Sequence, residues 1–204
     1  MSQLLDSIGE RKYLTGGEEA AFLAEVHRMD DFAKRVFCVT MLYSGGRVTE
    51  VISLTPRNID FSAGKVVFRT LKQRKKVRFR AVPMPSDLAS MLAELIEQNQ
   101  IGLDDRIWEF CRQTGLNIVK KAMTRIHVSG SRATTRGLRH TFATSNTEDG
   151  VKFSTLRTWL GHARMENTAI YLDFTGAEER AYAERRWEKL SLSQKALARN
   201  PDEY

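Results

Sequence analysis

A chain of 204 residues, 42% hydrophobic and 28% charged, has the composition of an ordinary globular protein and the length for one sizeable domain. Its formal net charge of +7 and pI of about 9.6 point to an anionic partner, most often nucleic acid. Cys38 and Cys111 are the only cysteines and belong to no CxxC or Cys/His cluster, which argues against a structural zinc or a disulfide framework. They read as buried or incidental thiols in a reducing compartment. No apolar run approaches the roughly 18 residues that span a bilayer, and the first residues lack the apolar core of a secretory signal. The expected location is the cytoplasm, with no membrane partner.

In chain order, residues 1–14 read as a short polar lead with no fold of its own. Thr15 with Glu18 three positions later has the capping-box spacing, and it opens a helix from about Glu18 to Arg28 with Ala21, Phe22 and Val26 inward. A second helix, about Asp31 to Tyr43, turns Val36, Phe37, Val39, Thr40 and Leu42 mostly inward. Gly45 and Gly46 break it, and Arg47 opens a short helix ending before Pro56, with Arg47 and Glu50 three apart on one face. Residues 65–69 and 77–82 have the look of two strands, the second partly alternating. Between and within them lie Arg69, Lys72, Arg74, Lys75, Lys76, Arg78 and Arg80, with no acid among them. This predicts a β-hairpin with a cationic tip, in which Arg69, Arg74, Lys75, Lys76 and Arg78 contact a DNA backbone.

Pro85-Ser86 caps a helix from about Asp87 to Gln98, and Ile107-Trp108 reads as a short buried strand or a core plug. Residues 115–127 fit a helix with Ile118, Ala122 and Ile126 inward. Residues 127–135 form a polar connection rich in turn residues. Helices follow over about Leu138 to Asn146, from a Ser154 cap through His162, and over about Asn167 to Leu172. Residues 177–190 are helical and charged, but their sparse apolar positions, Ala181, Tyr182, Trp187 and Leu190, make no rich core face. The last residues, 191–204, read as a tail. The whole predicts a mainly α domain with a small antiparallel sheet (α+β).

The chemistry concentrates between Thr134 and Phe174. Arg136 and Arg139 lie one helical turn apart, Leu160-Gly161-His162 follows, and Tyr171 comes nine positions after that histidine. Guanidinium forks match phosphate oxygens two at a time, and a tyrosine hydroxyl can act as a covalent nucleophile. Clustered carboxylates, which a two-metal nuclease needs, are missing from the pattern. Together with Ser44-Gly-Gly-Arg47-Val-Thr-Glu50 and the basic hairpin, this order and spacing closely resemble the tyrosine recombinase (phage integrase) family, over about residues 13–190. The family pattern is an arginine in a TGxRxxE helix, a hairpin lysine, HxLRH, LGH, and a tyrosine nine residues beyond that last histidine.

The resemblance implies the catalytic-domain fold of that family and a role for each matching residue. Arg47 and Arg139 would grip the scissile phosphate, His162 would hydrogen-bond it, and Tyr171 would attack it to give a 3′-phosphotyrosine, with neither metal nor cofactor. Lys72, in Thr70-Leu71-Lys72, would be the general acid, with Lys75 and Lys76 as alternatives. Glu50 and His140 would be structural supports. Arg136 stands where the family has its first histidine; arginine keeps a phosphate donor there but cannot be a base near neutral pH. Proton removal from Tyr171 then falls to His162, to water or to the phosphate. The family usually carries a further N-terminal DNA-clamping domain, so residues 15–190 read either as a piece of a longer protein or as a compact member. The implied partners are double-stranded DNA with specific recombination sites and, through the 177–190 helix, three further copies in a homo-tetramer. Two other readings use the same residues: relaxation of DNA by a type IB topoisomerase, and a non-catalytic DNA-binding module.

Overall fold

The computed structural model describes residues 4–71 and 77–171, with Glu184, Arg186 and Trp187 beyond them. Over residues 4–171 the described α-helices and strands follow in the order α1 (Gly16–His27), α2 (Phe32–Ser44), α3 (Val48–Val51), β1 (Ile59–Asp60), β2 (Lys65–Leu71), β3 (Val77–Pro83), α4 (Ser86–Gln98), α5 (Arg112–Arg125), α6 (Thr135–Glu148), α7 (Phe153–Leu160) and α8 (Glu166–Ala169). The mainly α architecture with one small antiparallel sheet is the predicted one. The sheet has the order β1-β2-β3, and β1, which the sequence did not announce, pairs Ile59 with Val66. β2 and β3 pair from Lys65 opposite Pro83 to Leu71 opposite Val77.

Helix α2 is the axis of the fold. Val36 to Leu42 are all buried, and α1, α4, α5 and α6 pack around it. A helix buried on every side must satisfy its own polar side chains: Thr40 Oγ1 donates to Val36 O at 2.8 Å and Ser44 Oγ to Thr40 O at 2.6 Å. The predicted capping box starts α1, with Glu18 N donating to Thr15 Oγ1 at 3.3 Å and Thr15 N to Glu18 Oε2 at 2.9 Å. Ile107 and Trp108 are the core plug and not a strand. Trp108 is 1% exposed, meets Phe37 edge-on at 5.7 Å and donates its indole N–H to Ala33 O at 2.9 Å.

Several boundaries differ from the sequence reading, each for a local reason. The lead is part of the domain: Leu4 and Leu14 are buried, and Leu14 N donates to Thr141 Oγ1 at 2.8 Å. Helix α6 begins three residues before the expected Leu138, because Thr134 accepts from Gly137 N at 2.9 Å and caps it. Arg136 and Arg139 therefore sit on one helix. Helix α7 starts at Phe153, with Thr155 N and Leu156 N both bonding Lys152 O, so Ser154 lies inside it and caps nothing. Helix α8 is a single turn that stops before Tyr171, whose N–H still bonds Thr168 O at 3.0 Å.

Gly137 lies where α6 presses on the 130–132 turn, and a Cβ there would run into Arg132 O. Ala normally strengthens a helix relative to Gly. Gly137→Ala is nevertheless expected to lower stability by about 2 kcal/mol, the order found for overpacked sites, read from urea unfolding. A neutral or stabilising result would mean that the turn yields.

Candidate active site

The site is built on two helix C-termini that meet above α6. Gly45 ends α2 and Gly161 ends α7, both in the left-handed region at φ of 56° and 65°. Arg139 reaches between them. Its Nη1 donates to Gly45 O and its Nη2 to Leu160 O, each at 2.6 Å, and the side chain is mostly buried. Helix C-termini expose carbonyls with no partner inside the helix and carry partial negative charge, so they suit a buried cation. Burial first, and then the nearby charge of Arg47, bring the Arg139 guanidinium down to about 10, which leaves it charged at neutral pH.

The same Arg139 Nη2 lies 3.0 Å from His162 Nε2. A guanidinium only donates, so Nε2 accepts and the ring proton is on Nδ1, which points at Thr168 Oγ1 at 2.9 Å. Burial, followed by the charges of Arg139, Arg47 and Arg80, pushes His162 down to about 3. The imidazole is neutral across the physiological range. Thr168, fully buried, is the side chain that sets this ring. Its place in the sequence, three before Tyr171, hinted at a helix face and not at a histidine partner.

Tyr171 is buried, and its hydroxyl lies 2.8 Å from His140 Nδ1. Burial pushes the phenol up to about 12, against the pull of Arg139. His140 is itself driven down to about 4, by burial and then by Arg136 and Arg139. The residue read as a structural support is thus the imidazole in contact with the tyrosine hydroxyl. Arg136 stands exposed one turn before His140 on α6 and, among the described residues, makes no hydrogen bond or ion pair.

Arg47 is the N-cap residue of α3, with its side chain 45% exposed. Glu50 accepts from Arg47 N at 2.8 Å and from Arg47 Nη1 at 3.0 Å. The sequence did not indicate the third member, Arg80 of β3, which is 6% exposed and holds both oxygens of Glu50 at 3.0 and 2.7 Å. Counting it with the cationic hairpin hid it. Strand alternation with buried Val82 was the available signal. Burial alone would raise the Glu50 carboxyl; the Arg80 hydrogen bonds and the charges of Arg80 and Arg47 outweigh it and lower the carboxyl. Arg69 and Arg78 are exposed on β2 and β3. Lys72, Arg74, Lys75 and Lys76 lie outside the described residues, as does most of 177–190. Among the described residues no group of three or more His, Cys, Asp or Glu is placed to hold a metal, and no helix is long and apolar enough to cross a membrane.

The phage integrase family model matches residues 12–178, most of the chain. The chain belongs to the phage integrase family. It is 28% identical over 176 residues to the tyrosine recombinase XerA of Pyrococcus furiosus, a match that covers 82% of this chain and 59% of that protein. A crystal structure of XerA recombinase superposes with a TM-score of 0.72 at 21% identity, over 85% of this chain and 64% of the other. XerH recombinase bound to its difH substrate in a pre-cleavage complex gives 0.67 at 18% identity, over 88% and 59%. The chain therefore spans less than two thirds of the length of these relatives.

The two depressed histidines make stability depend on pH. Between the unfolded value near 6.5 and the folded values of about 4 for His140 and about 3 for His162, the unfolded chain binds more protons. Stability is therefore present above pH 6.5 and lost as the pH falls toward 4. The urea midpoint of the wild type should drop through this window, and His140→Gln should drop less steeply. Parallel slopes would show that His140 is not held neutral.

Proposed function

We propose that the chain is the catalytic domain of a site-specific tyrosine recombinase that cleaves and rejoins DNA through a 3′-phosphotyrosine. The observation that carries this reading is one geometry: Arg139 bonded to His162, with Tyr171 in its electrostatic reach and Arg47 beside it. Three of these groups serve a phosphate. Two guanidinium groups neutralise the charge that develops on the non-bridging oxygens, and a neutral imidazole adds a hydrogen bond without adding repulsion. The phenol of Tyr171 is the nucleophile.

In the step itself, the Tyr171 oxygen forms a bond to phosphorus as the bond from phosphorus to the 5′-oxygen breaks. The phenol loses its proton and the 5′-oxygen gains one. His140 Nδ1 is the ring nitrogen within hydrogen-bond reach of the phenol. Lys72 is the proposed proton donor to the 5′-oxygen, with Lys75 and Lys76 as alternatives. Attack by a 5′-hydroxyl on the phosphotyrosine reverses the step, so the bond is exchanged without a cofactor. Arg136 takes a phosphate-binding place, and Arg69, Arg74, Lys75, Lys76 and Arg78 hold the DNA backbone.

Each chain carries one such tyrosine. Exchange of both strands between two duplexes therefore calls for four copies, and we assign their contact to segment 177–190, which the sequence predicts to be helical. Trp187, 59% exposed, supports that assignment.

The test is incubation with duplexes nicked near the cleavage position, where release of a short strand traps the adduct. Wild type is expected to give covalent protein–DNA product, Tyr171→Phe none, and Arg139→Ala roughly 100-fold less. Product in Tyr171→Phe, or relaxation of plasmids without any preferred site, would contradict the reading. Replacing Arg74, Lys75 and Lys76 by Ala should also reduce the slope of log affinity against log salt by about 0.9 for each phosphate that these side chains neutralise. An unchanged slope would place them in solvent.

A further inference from the structure

Among the described residues Glu50 is the carboxylate bonded to two of the site's arginines, and each of its two oxygens is shared. Oε1 accepts from Arg47 Nη1 and from Arg80 Nη1, each at 3.0 Å, while Oε2 accepts from Arg47 N at 2.8 Å and Arg80 Nη2 at 2.7 Å. Arg47 is tied to Glu50 through a single guanidinium nitrogen. Among the described residues its Nε and Nη2 make no hydrogen bond, which leaves that edge for a phosphate. Arg80 is the more deeply placed of the two, with a side-chain exposure of 4% against 45% for Arg47.

Arg80 also joins the hairpin to the turn that carries His162. Its Nε donates to Trp159 O at 2.7 Å, and its guanidinium lies 4.5 Å from the centre of the Phe68 ring. At Gly161 a Cβ would come within 2.9 Å of Arg80 Cδ, so the glycine before His162 leaves room for this side chain. One residue of β3 thus touches the Arg47 helix, the sheet and the His162 turn.

We propose that Arg80 is a positioning residue of the strand-cleavage reaction: it occupies the Glu50 carboxylate so that Arg47 keeps a free guanidinium edge for the scissile phosphate. This rests on the recombinase reading for its reaction, though not for its geometry. The physical reason is competition. A bidentate arginine satisfies a carboxylate in charge and in hydrogen bonds. With Arg80 removed, Glu50 is left as a mostly buried anion that, among the described residues, keeps its bonds to Arg47. The carboxylate then takes both guanidinium nitrogens of Arg47 and withholds them from DNA. A packing role predicts something different, because removing Glu50 as well would only add damage.

The experiment compares Arg80→Met, Glu50→Gln and the double variant, with circular dichroism to confirm folding. One readout is the rate of covalent adduct formation on nicked DNA at saturating protein. The other needs no DNA: the rate of rotation about the Arg47 Cζ–Nε bond, from NMR of ¹³C,¹⁵N-arginine protein. Arg80→Met is expected to slow cleavage roughly 10- to 100-fold, the range for residues that orient a charged site from behind. It should also slow Arg47 rotation. Adding Glu50→Gln should restore most of the rate and free the rotation.

A double variant no faster than Arg80→Met, or an Arg47 rotation that is the same in all proteins, overturns the proposal. Slowed rotation with an unchanged rate overturns it too. If Arg80→Met does not fold, Arg80→Lys replaces it: intermediate values of both readouts support the proposal, and wild-type values overturn it. A wild type that forms no adduct would remove the recombinase reading, and the Arg47 rotation would still decide the geometry.

Discussion

Arg139 carries a guanidinium into the domain where it is 8% exposed, and a charge so placed costs several kcal/mol unless its surroundings replace water. The replacement comes from backbone, not from a carboxylate. Gly45 O and Leu160 O, each at the end of a helix, accept from its two terminal nitrogens. This choice of partner shapes the fold around it. Helices α2 and α7 must both end at α6, and both must end in a left-handed turn so that a carbonyl faces inward. A Cβ at Gly45 would collide with the Phe142 ring one turn along from Arg139, so that turn has no room for another residue. Carbonyl dipoles neutralise only part of the charge. What remains is available to an incoming anion, which a paired carboxylate would have cancelled.

The same economy governs the neighbours. Arg47 and Arg80 share Glu50 as their carboxylate, and together with Arg139 they produce a field that helps burial bring His162 down to about 3. An imidazolium at that position would repel the guanidinium beside it. A neutral ring instead accepts from Arg139 and, in the proposed reaction, by moving its proton from Nδ1 to Nε2 donates to the phosphate once Arg139 turns to the same group. Thr168 fits both states, since a hydroxyl can accept from Nδ1 or donate to it. Tyr171 is in the opposite condition. Its phenol is pushed up to about 12 and bonded to His140, so this arrangement holds the proposed nucleophile in its protonated form. In the proposed step, bringing the phenol to phosphorus and losing its proton must happen together, because burial opposes a free phenolate.

Much of this was legible in the sequence because the site is built from residue types with few other uses at such spacings. Arg47, Arg139, His162 and Tyr171 were found as a pattern, and the structure brings the middle pair into contact at 3.0 Å. The hairpin and most helices followed from periodicity and capping. What escaped notice has a common cause. The partners of Arg139 are carbonyls, which leave no trace in residue identity. Arg80 was hidden by its company, one buried arginine in a cationic run in which the described Arg69 and Arg78 are exposed. His140 followed a motif arginine and read as filler, since its partner lies 31 positions away. The lead looked polar because Leu4 and Leu14 are separated by charged residues, and only the folded chain shows that both enter the core.

The central claim is that Tyr171 attacks the phosphorus held by this cluster of arginines. It is tested most directly by isolating the protein–DNA adduct, digesting it and sequencing the DNA-linked peptide by mass spectrometry. The account predicts that the peptide carries Tyr171 joined to a 3′-phosphate, and that the released strand ends in a 5′-hydroxyl. Linkage to any other residue, linkage through a 5′-phosphate, or cleavage with no linked peptide would contradict it.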